Sequence, residues 1–206
     1  MKKEKERRRV PGQERSRYTV DQILAGAALV FEELGYAKTT TNHIAHRVGV
    51  SIGTLYQYFD NKDAILSALM EQHFREVQVL LSSVHRRDGE ISLNDTIHSM
   101  VTGLLDLHMK RPVLHQIMVS EAPRHPGLMA KMHEIEDEIS DSLAAFLLGC
   151  SDLDPAHVEH AVYLVVHVAE GITHEFVIHP PGHMDRELFI KEVTSMLTGY
   201  LSGACH

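Results

Sequence analysis

Apolar residues recur along this chain at intervals of three and four, the spacing that places side chains on one face of an α-helix. The first stripe runs over Val20–Leu34, and Thr19 with Gln22 forms a capping-box pattern at its start. No segment alternates apolar and polar residues as a half-buried strand does. The pattern therefore predicts an all-α protein. We expect about nine helices, near residues 20–34, 40–48, 51–59, 62–85, 93–110, 112–119, 128–148, 155–178 and 186–201.

The stretch Thr40–Lys62 is predicted to form two short helices joined by a tight turn, followed by the start of a third helix. Gly49 suits the turn, because glycine adopts at low cost the left-handed backbone that closes a helix. Ser51 can cap the next helix by accepting a hydrogen bond from one of its free amides. Leu55 and Phe59, four residues apart, are the expected inward pair of that helix.

The outward face of this second short helix carries Ile52 together with hydroxyl, amide and glycine groups, and no acidic residue lies between Ser51 and Phe59. A face of this kind can donate hydrogen bonds, stack and approach another surface closely. It favours a helix that enters the DNA major groove and reads base edges. Lys62 follows at the start of the next helix, where a docked phosphate would account for a cation. The predicted DNA-contacting residues are Thr40, Thr41, Ser51, Gly53, Thr54, Tyr56, Gln57, Tyr58 and Lys62.

Several short runs of residues in this region occur in the order and at the spacing that a known family shows. The runs are Gly35-Tyr36, Thr40-Thr41, Ile44-Ala45, Val48-Gly49-Val50-Ser51, Gly53-Thr54-Leu55-Tyr56, Tyr58-Phe59 and Lys62. Together they resemble the DNA-binding domain of the TetR family of bacterial transcriptional regulators, over about residues 16–76. The resemblance implies a homodimer that pairs its last two long helices into a four-helix bundle. It also implies that the fourth helix transmits the ligand state to the DNA-reading unit.

We expect three segments: a flexible basic arm at 1–15, a helix-turn-helix DNA-binding domain at 16–76, and a helical ligand-binding and dimerisation domain at 77–206. Arg15 and Arg17 are the nearest candidates for additional phosphate or minor-groove contacts. The alternative for this part of the chain is a solvated tail without DNA contacts.

The charge distribution agrees with this division. Residues 1–62 hold 11 Lys and Arg against 7 Asp and Glu, whereas residues 63–206 hold 9 against 21. A basic module that can approach DNA therefore precedes an acidic body. The chain has no run of eighteen apolar residues and no apolar signal segment, and Cys150 and Cys205 form no motif. We expect a cytoplasmic protein without a membrane span.

The helices at about 155–178 and 186–201 are apolar around much of their circumference. Two apolar stripes on one helix indicate two packing partners, of which one is the domain core and the other is a second subunit. A dimer also suits a DNA reader, because two copies related by a two-fold axis read a palindrome. The alternative, in which both stripes serve the core of one monomer, stays open at this point.

The C-terminal domain is expected to hold a small, largely apolar ligand between its helices 5 to 8. Methionine and aromatic side chains can line such a pocket, and histidines placed among apolar residues can orient the ligand. Each of these residues also fits plain core packing. The candidate ligand-binding residues are Met100, Leu104, His108, His115, Met118, Phe146, Tyr163 and His167.

The sixteen histidines raise the question of a metal site. His160, His167 and His174 recur every seven residues, which places them about 10 Å apart on a helix, too far to share one ion. Two closer pairs, His157 with His160 and Glu170 with His174, have spacings that can hold zinc, but a third ligand would have to come from elsewhere. We therefore assign no metal ligand and no cofactor, and a metal-responsive regulator stays an alternative.

The sequence as a whole predicts a homodimeric regulator of transcription, in its simplest form a repressor released from a palindromic operator by a small ligand. An activator and a corepressor-dependent regulator are alternatives. The rival from another class is an enzyme that uses histidines as acid–base or metal groups. No G-x-S-x-G, H-E-x-x-H or phosphate-loop motif is present, so we do not expect an enzyme.

Overall fold

The computed structural model describes residues 11–85, 92–121, 124, 126–150 and 155–203. Within these ranges the chain is built of α-helices and contains no strand, which confirms the predicted all-α class. From α4 onwards, each end of a helix lies within two residues of its predicted position. The helices are α1 (Pro11–Leu34), α2 (Thr41–Val48), α3 (Ile52–Tyr56), α4 (Lys62–His85), α5 (Leu93–Met109), α6 (Pro112–Glu121), α7 (Pro126–Cys150), α8 (Pro155–Ile178) and α9 (Arg186–Gly203).

Helix α1 begins nine residues before the position predicted from the capping-box pattern, so that prediction is wrong. The helix starts at Pro11, where a proline is tolerated because its missing amide would have no partner in the first turn. Thr19 lies inside the helix and donates from Oγ1 to the carbonyl oxygen of Arg15, at 2.9 Å. Arg15 and Arg17 are therefore helical, not part of a flexible arm. Residues 1–10 of the predicted arm lie outside the described residues.

The chain divides into unit 1, Met1–Leu69, and unit 2, Met70–His206. The division falls inside α4, seven residues before the end that we predicted for the DNA-binding domain. Helix α4 therefore contributes its first two turns to unit 1 and the rest of its length to unit 2.

In unit 1, α1 packs against α2, and α2 packs against α3. Gly26 allows the first of these contacts, because a Cβ atom at this position would lie only 2.4 Å from Cγ2 of Val48. Arg47 on α2 forms an ion pair with Glu33 on α1. The core of unit 1 consists of buried apolar side chains, among them Ile23, Ala27, Phe31, Ile44, Leu55 and Leu66.

In unit 2, α5 and α8 form the centre, with α9 packed against both, α7 against α8, and α6 against α5 and α8. A Cβ atom at Gly103 on α5 would lie 2.3 Å from a methyl carbon of Leu80, so α4 and α5 approach closely there. Arg186 at the start of α9 pairs with Asp106 on α5. The core of the unit includes Ile97, Val101, Leu105, Leu143, Val158, Val162, Val165, Phe189, Val193 and Leu197.

Candidate functional site

Local hydrogen bonds build the helix-turn-helix of unit 1 as the sequence predicts. Thr40 caps α2, since its side chain accepts a hydrogen bond from the amide of His43 at 3.2 Å. Gly49 ends the helix with a φ of 76°, the left-handed conformation expected of it. Ser51 caps α3, and its Oγ accepts from the amide of Thr54 at 3.0 Å. These caps satisfy amides that would otherwise have no partner, and so they fix where each helix begins.

Helix α3 has one apolar face and one polar face. Leu55 is fully buried and Phe59, just after the helix, is buried as well, which confirms the predicted inward pair. Tyr56 is 50% exposed, and its hydroxyl lies 3.1 Å from the hydroxyl of Thr41 at the start of α2. A Cβ atom at Gly53 would meet only one side-chain oxygen, at 3.8 Å. Another surface can therefore approach the backbone of α3 at this glycine.

Tyr36 holds Lys62, the first residue of α4. The Lys62 Nζ atom donates to the carbonyl oxygen of Tyr36 at 2.8 Å and lies 4.3 Å from the centre of its ring. The Tyr36 hydroxyl donates in turn to a carboxylate oxygen of Asp63. Asn61 caps the helix by accepting from the amide of Ala64 at 2.8 Å. The ammonium group therefore has a defined place at the N-terminus of α4, where anions are favoured.

The predicted DNA-contacting residues lie in three successive segments of unit 1. These segments are the start of α2, α3 with its flanking residues, and the start of α4. Their accessibility is uneven, and their contact with DNA stays a prediction. Thr40, Ser51, Gly53, Tyr56 and Gln57 are exposed, and Thr41, Thr54, Tyr58 and Lys62 are half-buried.

A second site lies inside unit 2, where four imidazole rings and one carboxylate meet. We call it the histidine cluster, and it consists of His73, His108, His115, Glu170 and His174. Helix α5 ends at Met109 and α6 begins at Pro112. This corner stacks the ring of His115 on that of His108, with ring centres 4.0 Å apart and an interplanar angle of 21°. The ring of His174 lies 4.7 Å from His108 and 4.6 Å from His115.

Helices α4 and α8 supply the remaining members of the histidine cluster. His73 on α4 places its ring centre 5.3 Å from that of His108 and 5.4 Å from that of His115. On α8, the Oε1 atom of Glu170 lies 3.0 Å from Nε2 of His174 and 3.9 Å from Nε2 of His108. Four helices thus direct nitrogen and oxygen donors into one small volume.

Burial keeps the inner imidazoles uncharged. Desolvation, reinforced by the neighbouring histidines, lowers the pKa of His108 far below its ordinary value. The same causes lower the pKa of His115 to about 3. Burial also lowers the pKa of His73, although Glu170 and Glu76 oppose the shift. At neutral pH these three rings are therefore neutral, and each keeps a lone pair on one nitrogen.

Several nitrogen atoms of the histidine cluster are buried without a hydrogen-bond partner in the described part of the chain. They are both ring nitrogens of His108, both ring nitrogens of His115, and Nε2 of His174. The 3.0 Å contact of His174 with Glu170 has an ion-pair distance but not the angles of a hydrogen bond. Buried polar atoms are nearly always paired, so this concentration distinguishes the cluster from ordinary core packing.

Five of the predicted ligand-binding residues are buried in unit 2: Met100, Leu104, His108, His115 and Met118. Met100 and Leu104 line a cavity of about 30 Å³, and Glu170 of the histidine cluster lines the same cavity. Ligand pockets for organic molecules have volumes of roughly 300–1,000 Å³. The cavity beside the cluster is therefore of the size that holds water or an ion.

The other three predicted ligand-binding residues do not join this group. Tyr163 is 59% exposed on α8, and His167 is exposed one turn further along the same helix. The Nδ1 atom of His167 lies 2.9 Å from the backbone oxygen of Tyr163, so the two residues interact with each other and not with the histidine cluster. The side chain of Phe146 lies outside the described residues.

Sequence reasoning missed His73 altogether and recognised Glu170 with His174 only as an incomplete pair. A signal for His73 was present, because it lies three residues after Met70 and four before Val77, both on the buried stripe of α4. A polar residue at such a position must find a partner or a function. The third donor that the pair on α8 lacked is His108 on α5.

Comparison with known protein families gives two matches along the chain. Residues 23–69 match the family described as "Bacterial regulatory proteins, tetR family". Residues 92–201 match the family described as "Tetracyclin repressor-like, C-terminal domain". The first match covers the helix-turn-helix of unit 1. The second covers four of the five members of the histidine cluster, all except His73.

Individual proteins resemble the chain over most of its length. An uncharacterised HTH-type transcriptional regulator of Mycobacterium tuberculosis is 28% identical over 162 residues, which cover 77% of this chain and 76% of the relative. IcaR of Staphylococcus epidermidis, the negative regulator of the biofilm operon icaADBC, is 26% identical and covers 67% and 71%. A solved transcriptional regulator from Rhodococcus sp. Rha1 shares the fold, with a TM-score of 0.74 at 22% identity over 90% of this chain and 97% of that one.

Proposed function

The chain belongs to the TetR family of bacterial transcriptional regulators, and on this premise we propose that it is a homodimeric repressor released from a palindromic operator by a small ligand. The family consists of DNA-binding regulators, not of enzymes. A repressor of this kind acts where the chromosome is, so we assign it to the cytoplasm. IcaR is described as a negative regulator, and this favours repression over activation for the present chain.

The composition of the exposed face of α3 is the observation that carries this proposal. Tyr56 and Gln57 are exposed and can reach base edges, and Gly53 leaves room for close approach of the groove. The hydrogen bond between the hydroxyls of Tyr56 and Thr41 limits the positions of the tyrosine ring before DNA is bound. A preordered side chain loses less conformational entropy on binding, which favours recognition.

Phosphate contacts are proposed for the helix ends on either side of α3. Thr40 and Thr41 lie at the start of α2, and Lys62 lies at the start of α4. Helix N-termini direct free amides and a partial positive charge outward, so they attract phosphate. Contacts of this type hold the recognition helix in register but carry no sequence information themselves.

We propose that two copies associate through α8 and α9, because both helices expose large apolar side chains. The segment Val158–Ile178 of α8 is apolar enough to cross a membrane by length and composition alone, with a mean hydropathy of 1.4. Only part of this apolar surface is used by the core of unit 2, and contiguous exposed apolar surface marks an interaction site. The exposed apolar residues on the two helices include Tyr163 (59%), Leu164 (46%), Val168 (40%), Met196 (46%) and Tyr200 (41%).

The experiment that tests DNA reading is selection of bound sequences from a random DNA pool at near-physiological salt. We expect enrichment of a palindrome, with half-sites separated by about one helical turn or more. Tyr56→Ala should weaken binding and relax the sequence preference. Met109→Ala, an exposed residue of unit 2, is the control and should bind as the unchanged protein does. Equal binding to all sequences by the unchanged protein would contradict the proposal.

Sedimentation over a range of concentrations tests the dimer. Leu164→Glu places a charge at the centre of the proposed interface and should shift the protein towards monomer. Val79→Glu is the matched control, because Val79 is 69% exposed on α4 and lies outside this surface. Equal dissociation constants for the two variants would show that α8 does not form the interface.

A reporter gene behind the selected operator tests the sign of regulation. We expect reporter expression to rise when the protein is absent, as it does for a repressor. A fall in expression would identify an activator instead, without affecting the DNA-reading part of the proposal.

A further inference from the structure

The histidine cluster is the most unusual feature of unit 2, and DNA reading does not use it. Four rings from α4, α5, α6 and α8 pack with centre-to-centre distances between 4.0 and 5.4 Å. The cluster also contains a single carboxylate, on Glu170. Plain core packing does not account for five polar side chains in one place, because apolar residues of similar size would fill it without leaving nitrogens unpaired.

The donor atoms lie close to the spacing that they would have around one ion. Metal ions such as zinc bind imidazole nitrogen and carboxylate oxygen at about 2.0–2.2 Å, so neighbouring donors lie roughly 3–3.5 Å apart. Oε1 of Glu170 is 3.0 Å from Nε2 of His174 and 3.9 Å from Nε2 of His108. Small side-chain rotations would bring all three atoms to bonding distance of a common centre.

The other rings extend this group. Donor atoms of His73, His108 and His115 lie within 4.8 Å of one another, and His108 belongs to both groups of three. An ion bound at either group therefore has three protein donors. Three protein ligands are the number that a catalytic zinc site uses, with a further position for water.

The protonation state of the rings also suits a metal. Only the neutral imidazole binds a metal ion, because the lone pair must be free. Burial lowers the pKa of His108 and of His115, so both rings are ready to coordinate at neutral pH. One nitrogen of each of these rings is the atom that an ion would engage, because a neutral imidazole has a single lone pair for the ion.

We propose that the histidine cluster binds one divalent transition-metal ion per chain and that this ion is the regulatory ligand of the protein. A set of imidazoles with one carboxylate suits zinc, nickel, cobalt, copper or iron, whereas magnesium and calcium prefer oxygen ligands. The largely apolar ligand that the sequence predicts stays an alternative to this ion.

The regulatory part of this inference rests on the proposed function, and the metal site itself does not. His73 lies on α4, the helix that begins at Lys62 in unit 1. An ion that binds more tightly in one position of His73 relative to α5 and α6 therefore acts on α4. The first two turns of this helix belong to unit 1. A ligand shifts such an equilibrium only by the difference between its affinities for the two arrangements.

The test begins with the full-length protein without an affinity tag, stripped by a chelator and then titrated with Zn²⁺ and Co²⁺ in a calorimeter. We expect one tight ion per chain, together with the visible absorption bands that cobalt shows when nitrogen ligands surround it. His174→Asn should weaken binding at least about 10- to 100-fold, since changing even an outer-shell partner costs that much. His167→Asn is the matched control, an exposed histidine on the same helix, and should leave the tight site unchanged.

His108→Leu is the second variant, and far-ultraviolet circular dichroism confirms that each variant is folded. Weak binding by surface histidines is expected in every variant and is removed by a competing chelator. If zinc bound the unchanged protein only weakly, or if His174→Asn and His108→Leu bound it as tightly as the control, the metal site would be refuted.

Operator binding is then measured with and without the metal. A change of about fivefold or more in operator affinity, lost in His174→Asn and kept in His167→Asn, supports the regulatory role. Tight metal binding with unchanged operator affinity would refute the regulatory role and leave the site standing. Failure to bind any operator, with metal binding intact, would refute the proposed function and with it the regulatory role, and would leave the metal site standing.

Discussion

Replacing His108 by leucine should stabilise the metal-free protein and should remove most of the stabilisation that zinc gives to the unchanged protein. His108 is 1% exposed, and neither of its ring nitrogens has a hydrogen-bond partner in the described part of the chain. In the metal-free protein the imidazole therefore lowers the free energy of unfolding. With an ion bound, one ring nitrogen of His108 becomes a ligand, and the bound ion stabilises the folded state.

The structure sets the magnitude of both effects. A buried polar group without a partner costs about 1–3 kcal/mol, and a leucine of similar reach avoids this cost. We expect His108→Leu to raise the free energy of unfolding of the metal-free protein by about 1–3 kcal/mol. Zinc at a hundred times its dissociation constant should stabilise the unchanged protein by about 2.7 kcal/mol. Since about 1 kcal/mol shifts the melting temperature of a protein of this size by roughly 2–4 °C, both effects are measurable.

The assay is urea unfolding followed by circular dichroism, in chelator and in excess zinc. His98→Leu is the control, because His98 is exposed on the same helix, α5, and should change the free energy of unfolding by less than about 0.5 kcal/mol. A metal-free His108→Leu protein less stable than the unchanged one would refute the reasoning about unpaired nitrogens. Equal stabilisation of both proteins by zinc would exclude His108 as a ligand.

Three further predictions follow from other parts of the structure. Lys62→Ala should weaken binding to all DNA sequences and reduce the slope of log affinity against log salt by about one, and an unchanged slope would contradict its phosphate role. Gly26→Ala should destabilise the protein by about 1–3 kcal/mol in urea unfolding, because the added Cβ lies 2.4 Å from Val48 Cγ2, and a stabilised variant would contradict this. In the chelated protein, burial lowers the pKa of His115 to about 3 from the ordinary value of 6.5, so the unfolded state binds more protons between these values. The contribution of His115 to the free energy of unfolding is therefore fully present above about pH 6.5. It should fall by about 1.4 kcal/mol for each unit by which the pH decreases below that value. Unfolding curves that do not change between pH 7 and pH 5 would contradict this prediction.

The helix-turn-helix could be predicted from the sequence because local interactions build it. Thr40 and Ser51 cap helices through amides three residues ahead, and Gly49 supplies the left-handed turn. The start of α1 was mispredicted for a related reason. The capping-box pattern at Thr19 is equally compatible with a helix interior, and the residues before it carried no apolar stripe to show that the helix continues.

The histidine cluster could be predicted only in part. His108 and His115 were recognised as polar residues on apolar stripes, but the sequence does not show that the corner between α5 and α6 stacks their rings. Tyr163 and His167 share a stripe with His174 on α8, and yet they are exposed whereas His174 is half-buried. Which part of a stripe is covered depends on which helices pack against α8, and that is a property of the tertiary structure.

The sequence by itself determined the helices, their caps and the polar face of α3, because each of these depends on residues within about two turns of one another. Only the tertiary structure decided that His73, His108 and His174 lie together, since they come from helices that are far apart in the chain. The physical reason is that the hydrophobic effect drives apolar faces together but is non-directional, so it does not itself position individual polar groups. The polar groups on those faces meet where the packing of unit 2 places them, and their chemistry arises from that proximity.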